Sequence, residues 1–319
     1  MFMETMTMVK KNVYTPKVAK GKKHSTKRVL VKHRRKSKRS LIKEQAVLYK
    51  RAIKTEPYFE DRSRKVSLFH GNCFDILPNI PENSIDMIFA DPPYFLSNGG
   101  ITCHAGRRVS VNKGKWDVSN GFEENYIFTQ RWLRECQRIL TKNGTIWVSG
   151  TSHIIYTVGS AMQSLGYKIL NDVAWFKINP PPNLSCRYFT HSTETIIWAA
   201  KNKDSKHCFN YELMRKLNNG KQMLSMWSIK APRPEEKKYG KHPTQKPIQL
   251  LDRIILASTR PSDIVLDPFC GSGTTGIAAH RENRKFIGIE LEEEYVKLSI
   301  KRLKDEFGAF HYGKEKSKS

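Results

Sequence analysis

No stretch of this sequence approaches the roughly 20 consecutive apolar residues that a bilayer-spanning helix requires, and membrane insertion is not expected. The opening residues, Met1 to Lys10, lack the apolar core of a secretory signal, so export is not expected either. Cysteine is sparse and scattered: Cys73, Cys103, Cys136, Cys186, Cys208 and Cys270 contain no Cys-x-x-Cys pair. That spacing argues against a zinc site and a disulfide scaffold, and it suits a reducing cytoplasm. His153, His191, His207 and His242 form no ligand spacing, so no metal is expected and they read as structural or surface groups. Acidic residues are also short, at 30 Asp+Glu against 56 Lys+Arg, for a net charge of +26. The 319 residues, 39% apolar and 27% charged, have the composition of a globular protein and can hold one large domain or two modest ones.

The positive charge is uneven. Met1 to Lys65 holds 21 Lys+Arg and 5 Asp+Glu. Within it, Lys27 to Arg39 is nearly all basic, and like charges at that density repel, so residues 1–64 read as a disordered extension. Leu41–Ile53 is expected to form a short helix inside it. The functional reading is a tail that grips phosphate backbones without reading sequence, its affinity falling steeply with salt. The alternatives are a solubilising tail, an upstream start codon among the crowded Met1, Met3, Met6 and Met8, or a nuclear-localisation run.

From Lys65 onward short apolar runs alternate with helical patterns, and residues 65–319 read as one domain. Strands are expected at Val66–His70, Ile85–Ala90, Thr145–Ser149, Ile169–Lys177, Thr195–Ala200, Ile264–Asp267 and Phe286–Glu290. Helices are expected around Phe74–Leu77 and at Tyr126–Leu140, Ile154–Leu165, Pro247–Ser258, Thr274–His280 and Glu292–Glu306, with Asn143-Gly144 as a turn. The alternation implies an α/β fold with a mostly parallel sheet, whose ligands bind outside the carboxyl ends of the strands.

Two strand ends carry chemistry. Asp267-Pro268-Phe269-Cys270-Gly271-Ser272-Gly273-Thr274-Thr275-Gly276 follows a strand and opens a helix, the context of a nucleotide-binding glycine loop. Glu290, nineteen residues after Gly271, ends the next strand, where a carboxylate can accept from both ribose hydroxyls. The same glycines satisfy the GxGxxG pattern of NAD enzymes, so the loop alone does not name the cofactor, and a plain tight turn also uses glycine. An NAD oxidoreductase, however, places this loop near the start of its domain with several strands following. Only one strand and one helix follow here.

The second end is Asp91-Pro92-Pro93-Tyr94. Two prolines extend the backbone and remove both amide donors, leaving carbonyls and the Asp91 carboxylate as acceptors beside the aromatic ring of Tyr94. An exocyclic amino group of a base needs that set: acceptors for two hydrogens and a face to stack on. Read alone, Asp-Pro-Pro is also a common strand-ending turn.

Together the two motifs resemble the S-adenosylmethionine-dependent amino-methyltransferases of DNA, over roughly Val66–Leu303. Their order, with His242-Pro243-Thr244-Gln245-Lys246-Pro247 ahead of the glycine loop, resembles the circularly permuted beta group of that family. Phe89–Gly100 and Asn179–His191 resemble the single-strand-capable adenine methyltransferases of Dpn-type GATC restriction systems. The resemblance implies a Rossmann-like fold with an inserted target-recognition region at about 183–241. It implies Asp91, Pro92, Pro93 and Tyr94 as catalytic residues. S-adenosylmethionine would be lined by Asn72, Cys73, Asp91, Thr244, Lys246, Asp267, Phe269, Cys270, Gly271, Ser272, Gly273, Thr274 and Glu290. Lys246 and Thr244 would sit near its methionine carboxylate, and Asn72 stands where the family often has an acidic residue touching the adenine.

Aspartate heading the tetrad resembles adenine-N6 more than cytosine-N4 enzymes. No Pro-Cys dipeptide of the cytosine-C5 type occurs. DNA contacts are expected from the loop Ser97–Asp117, through Arg107 and Arg108, and from Asn183–Lys241, through Arg187 and Tyr188. In the latter stretch Lys216, Lys221, Trp227, Lys230 and Arg233 also place basic groups beside aromatics. Partners implied are double- and single-stranded DNA, a cognate endonuclease, a sister methyltransferase and a second copy of the chain. The alternatives are an N4-cytosine enzyme of the same fold and a non-catalytic nucleic-acid binder.

Overall fold

A computed structural model describes residues 56–316, apart from 98–100, 105–106, 111–113, 115–116 and 181. The Lys27–Arg39 run and the expected Leu41–Ile53 helix lie outside the described residues. In chain order the strands are β1 (Phe59–Asp61), β2 (Val66–His70), β3 (Ile85–Ala90), β4 (Ile101–His104), β5 (Arg107–Ser110), β6 (Leu140–Gly150), β7 (Lys168–Phe176), β8 (Thr193–Ala200), β9 (Met226–Ser228), β10 (Ile264–Asp267) and β11 (Lys285–Glu290). The helices are α1 (Cys73–Ile76), α2 (Phe122–Ile139), α3 (Ile155–Ser164), α4 (Tyr211–Leu217), α5 (Ile248–Ser258), α6 (Thr274–Arg281) and α7 (Glu293–Lys316). None is long and apolar enough to cross a membrane.

Nine strands form one sheet in the order β1-β2-β11-β10-β3-β6-β8-β7-β9. From β2 to β6 every pairing is parallel, whereas β8 runs antiparallel to both β6 and β7. The strand that leads into the glycine loop, β10, is central in the sheet although it comes late in the chain, as the permuted order requires. The Ile-Asp-Met-Ile-Phe-Ala sequence of β3 shows why the sheet is covered on both faces. Ile88 and Ala90 pack on one side with Trp132, Leu133 and Val158 of α2 and α3. Met87 and Phe89 pack on the other with Leu250, Ile254, Ile277 and Leu303 of α5, α6 and α7. A parallel strand buried twice reads as a near-continuous apolar run. Its one carboxylate, Asp86, accepts the Ile264 amide at 2.9 Å, and burial pushes its pKa up to about 6.

The principal expected elements are present, and the differences have local causes. The folded part begins before Lys65: β1 pairs with β2, and Tyr58 donates to Glu293 at 2.8 Å. Asn143-Gly144 does not precede a strand but lies inside β6, where a register shift carries Ile85↔Leu140 to Met87↔Thr145. The long loop Ser97–Asp117 contains the β4–β5 hairpin. Part of the expected recognition stretch belongs to the sheet, since β9 pairs with β7 and Trp227 is buried against Trp147.

Gly276 is fixed by packing and not by backbone conformation. A Cβ on Gly276 would stand 2.6 Å from the Phe286 ring in the interior between α6 and β11. Gly276→Ala is therefore expected to destabilise the fold by about 1–3 kcal/mol through overpacking, read as a lowered Tm in thermal unfolding. An unchanged Tm would show that this contact relaxes freely.

Candidate active site

The carboxyl ends of β2, β11, β10 and β3 open onto one cleft, of about 1020 Å³ including the part open to solvent. Its wall contains every expected cofactor-lining residue except Gly273, and adds Pro93, Phe128, His242, Gln245, Leu291 and Tyr295. The register explains the convergence. Pairing of Leu266 with Ile88 and of Glu290 with His70 makes Asp267, Asp91, Glu290 and Asn72 leave the sheet at the same edge.

The glycine loop is built by side chains that bind its backbone. Asp267, buried at the end of β10, accepts the Phe269 amide at 3.0 Å and the Thr275 hydroxyl at 2.5 Å. Burial pushes its carboxyl up to about 7 against those hydrogen bonds. Glu290 accepts the Gly271 amide at 2.7 Å and the Glu292 amide at 2.9 Å, and burial holds its carboxyl above the usual range. From α7, Ser299 donates to the Gly271 carbonyl at 2.8 Å, and Arg302 donates to the Ser272 carbonyl and the Thr274 hydroxyl. Gly273 is turned away from the cleft toward this helix. Its φ is +75°, and a Cβ there would meet Ser299 at 2.9 Å. His242, read from sequence as structural or surface, stands in the cleft wall edge-on to Tyr295 at 4.3 Å. Asn72 caps α1 by accepting the Phe74 amide at 3.0 Å. Cys73 and Cys270 are buried, and burial drives the Cys73 thiol to about 12 and that of Cys270 well above its ordinary value. Neither is an available nucleophile near neutral pH.

The Asp91–Tyr94 tetrad is held as tightly. Asp91 accepts the Tyr94 hydroxyl at 2.6 Å and the Lys246 ammonium at 2.5 Å. Burial pulls Lys246 down, but the charges of Asp91 and Glu194 outweigh it and hold the ammonium above the ordinary lysine value. The Tyr94 ring is only 4% exposed, and burial with the neighbouring carboxylates raises its hydroxyl well above the usual phenol range.

Behind the tetrad stands Asp117, fully buried, whose carboxylate accepts the amides of Tyr94 (2.8 Å), Phe95 (2.8 Å) and Leu96 (3.2 Å) and the Ser97 hydroxyl (2.9 Å). That cage stabilises Phe95 at φ +56°, a conformation uncommon for a bulky residue. Phe95 then packs on Phe128 (5.6 Å between centroids), and Phe128 on Phe269 of the glycine loop (6.5 Å), so aromatic contacts tie the two strand ends together.

The sequence reading missed Asp117, Glu194, Ser299 and Arg302. Glu194 carried a signal, being a charged residue at the head of a strand that ends in Ile-Ile-Trp-Ala-Ala. The others are single polar residues in a loop or on a helix, with no local pattern. Of the expected DNA-contact residues, Arg187 and Tyr188 fall outside the cleft wall. Arg107 and Arg108 lie on β5, opposite His104 and Cys103, while Arg187 and Tyr188 are exposed between β7 and β8. Lys216, Lys221, Lys230 and Arg233 are exposed, whereas Trp227 is core.

Removing Asp91 leaves a buried ammonium with one anion, Glu194, at 3.6 Å. Asp91→Ala is expected to cost about 3 kcal/mol in denaturant unfolding, as broken buried ion pairs do, and adding Lys246→Met should recover most of the loss. Wild-type stability of the single variant would remove the pair as a structural element.

Residues 85–301 match the DNA methylase family model, which covers N6 and N4 methyltransferases. The chain is 56% identical to the type II methyltransferase M2.LlaDCHI of Lactococcus lactis subsp. cremoris over 80% of its own length and 94% of the relative's. It is 54% identical to the type II methyltransferase M2.DpnII of Streptococcus pneumoniae, over 81% and 96%. Among solved structures, the M1.HpyAVI complex with S-adenosylmethionine superposes with a TM-score of 0.57 at 30% identity, covering 75% of this chain and 98% of that one. With the glycine loop and Asp91 and Pro93 of the tetrad lining one cleft, the chain belongs to the DNA methylase family.

Proposed function

We propose that this methyltransferase moves a methyl group from S-adenosylmethionine to the N6 amino group of adenine, in GATC and on single as well as double strands, within a restriction–modification system. The observation that carries the chemistry is the position of Asp91: the carboxylate heading the tetrad borders the same cleft as the glycine loop and Glu290. The type II relatives support the restriction setting, with a cognate endonuclease and a sister methyltransferase as partners.

The cleft fits the cofactor. The Glu290 carboxylate keeps lone pairs for ribose hydroxyls beyond the two amides it binds. Gln245 lines the wall with its side-chain oxygen buried and without a partner among the described residues, an acceptor suited to an ammonium group. The bound cofactor supplies a methyl made electrophilic by its sulfonium. The chain's own residues do the rest. Asp91 and the Pro92 carbonyl accept the amino hydrogens and orient the nitrogen toward the methyl, a task of positioning and electrostatics. Lys246 and the Tyr94 hydroxyl fix the Asp91 carboxylate in place. Because the Tyr94 ring is covered, stacking on a flipped base requires the entering base to uncover it. Residues 1–55 add a sequence-independent grip on phosphates.

Two measurements test this. Label from S-adenosylmethionine, offered to matched single- and double-stranded oligonucleotides with and without GATC, is expected in N6-methyladenine at GATC alone. Label in N4-methylcytosine would overturn the base assignment, and label in duplexes only would overturn the single-strand claim. Removing residues 1–55, upstream of β1, is expected to weaken DNA binding and flatten its log–log salt dependence, by about 0.9 for each phosphate that the extension neutralises. An identical salt slope would refute the extension as a DNA grip.

A further inference from the structure

The antiparallel strand β8 starts at the edge where β3 ends, because Gly150 of β6 pairs with Thr195 while Ala90 of β3 pairs with Val148. Its second residue, Glu194, is thereby carried to the tetrad. Glu194 is 8% exposed and lies between two lysines. Lys177, just past the end of β7, donates to Oε1 at 2.5 Å. Lys246 stands 3.6 Å from Oε2, which accepts the Ser149 hydroxyl at 3.4 Å and lies 3.4 Å from the Tyr94 hydroxyl oxygen, whose proton goes to Asp91. Lys246 in turn donates to Asp91, to the Tyr94 hydroxyl at 3.1 Å and to the Thr244 carbonyl at 3.3 Å. Charges therefore alternate through the interior: Asp91, Lys246, Glu194, Lys177. The titratable groups facing Glu194 include the two lysines and Tyr94, with Asp91 beyond Lys246.

We propose that Glu194 is a positioning residue for methyl transfer: it shares the Lys246 ammonium with Asp91, so that Asp91 keeps acceptor capacity for the amino group. With Glu194 neutral, Lys246 has a single anionic partner and closes fully on Asp91. The carboxylate then meets the substrate already saturated. Lys177, whose side chain is 28% exposed, sets the balance from the far side by drawing Glu194 away from Lys246. A buried ion pair alone is weak evidence of stabilisation, but an ammonium between two carboxylates is sensitive to either of them.

The inference rests on methyl transfer as the reaction, so wild-type transfer is measured first. An inactive wild type overturns that reading and this one with it. In the active enzyme, Glu194→Gln is expected to lower kcat at least tenfold with little change in the KM for DNA. It should also move the basic limb of the pH–rate profile to lower pH, because Lys246 loses an anion. Lys177→Gln removes a competing cation and is expected to move the same limb to higher pH, and Glu194→Asp should restore the wild-type limb.

In the protein without cofactor or DNA, the Tm shifts of Glu194→Gln and Asp91→Asn are expected to be non-additive in the double variant, since both act on Lys246. Additive Tm shifts with an unmoved basic limb in both Glu194→Gln and Lys177→Gln would overturn the proposal. Should Glu194→Gln not fold, Lys177→Gln alone decides it: an upward limb supports the role, and an unmoved or lowered limb refutes it.

Discussion

The parallel pairing of β3 with β10 is the constraint on which the site depends. Those strands lie far apart in sequence, yet their register places Leu266 beside Ile88 and brings both carboxyl ends to one edge. A slip of one residue would turn every side chain of a doubly buried strand to the opposite face. Met87 and Phe89 would then exchange partners with Ile88 and Ala90 between two differently shaped cores. Packing on both faces therefore fixes the register, and the register fixes the separation of glycine loop and tetrad.

At that edge, polar groups are buried in numbers that only mutual satisfaction allows. Asp117 is fully buried and accepts four hydrogen bonds. Asp267 accepts two, and Asp91 and Glu194 share the ammonium of Lys246. An unpaired charge in such a place is strongly unfavourable, so each of these residues specifies its partners as much as it stabilises the fold. The left-handed Phe95 is the backbone counterpart, a strained residue kept by the carboxylate behind it.

Most of the sheet was legible from the sequence because its strands are short apolar runs bounded by turn residues and its helices carry one apolar stripe. Ile264–Asp267 and Ile85–Ala90 are recovered at their observed bounds. What escaped lacks such periodicity. β1 and β9 are three residues long, and the β4–β5 hairpin sits in a polar stretch. Trp227 and the exposed Lys230 three residues on look alike as members of a basic, aromatic segment, and only sheet pairing makes one of them core.

Sequence by itself determined the α/β class, the two chemical strand ends and the family, because each is written in residues close together in the chain. It also singled out Asp91, Lys246 and Glu290, which the structure brings to one cleft. Tertiary structure alone decided what those residues touch. Lys246 rests on Asp91, and Glu194 and Asp117 arrive from strands and loops remote in sequence to complete the tetrad. The reason is physical: hydrogen bonds and ion pairs extend a few ångströms in space, and separation along the chain carries no record of that distance until the sheet register is set.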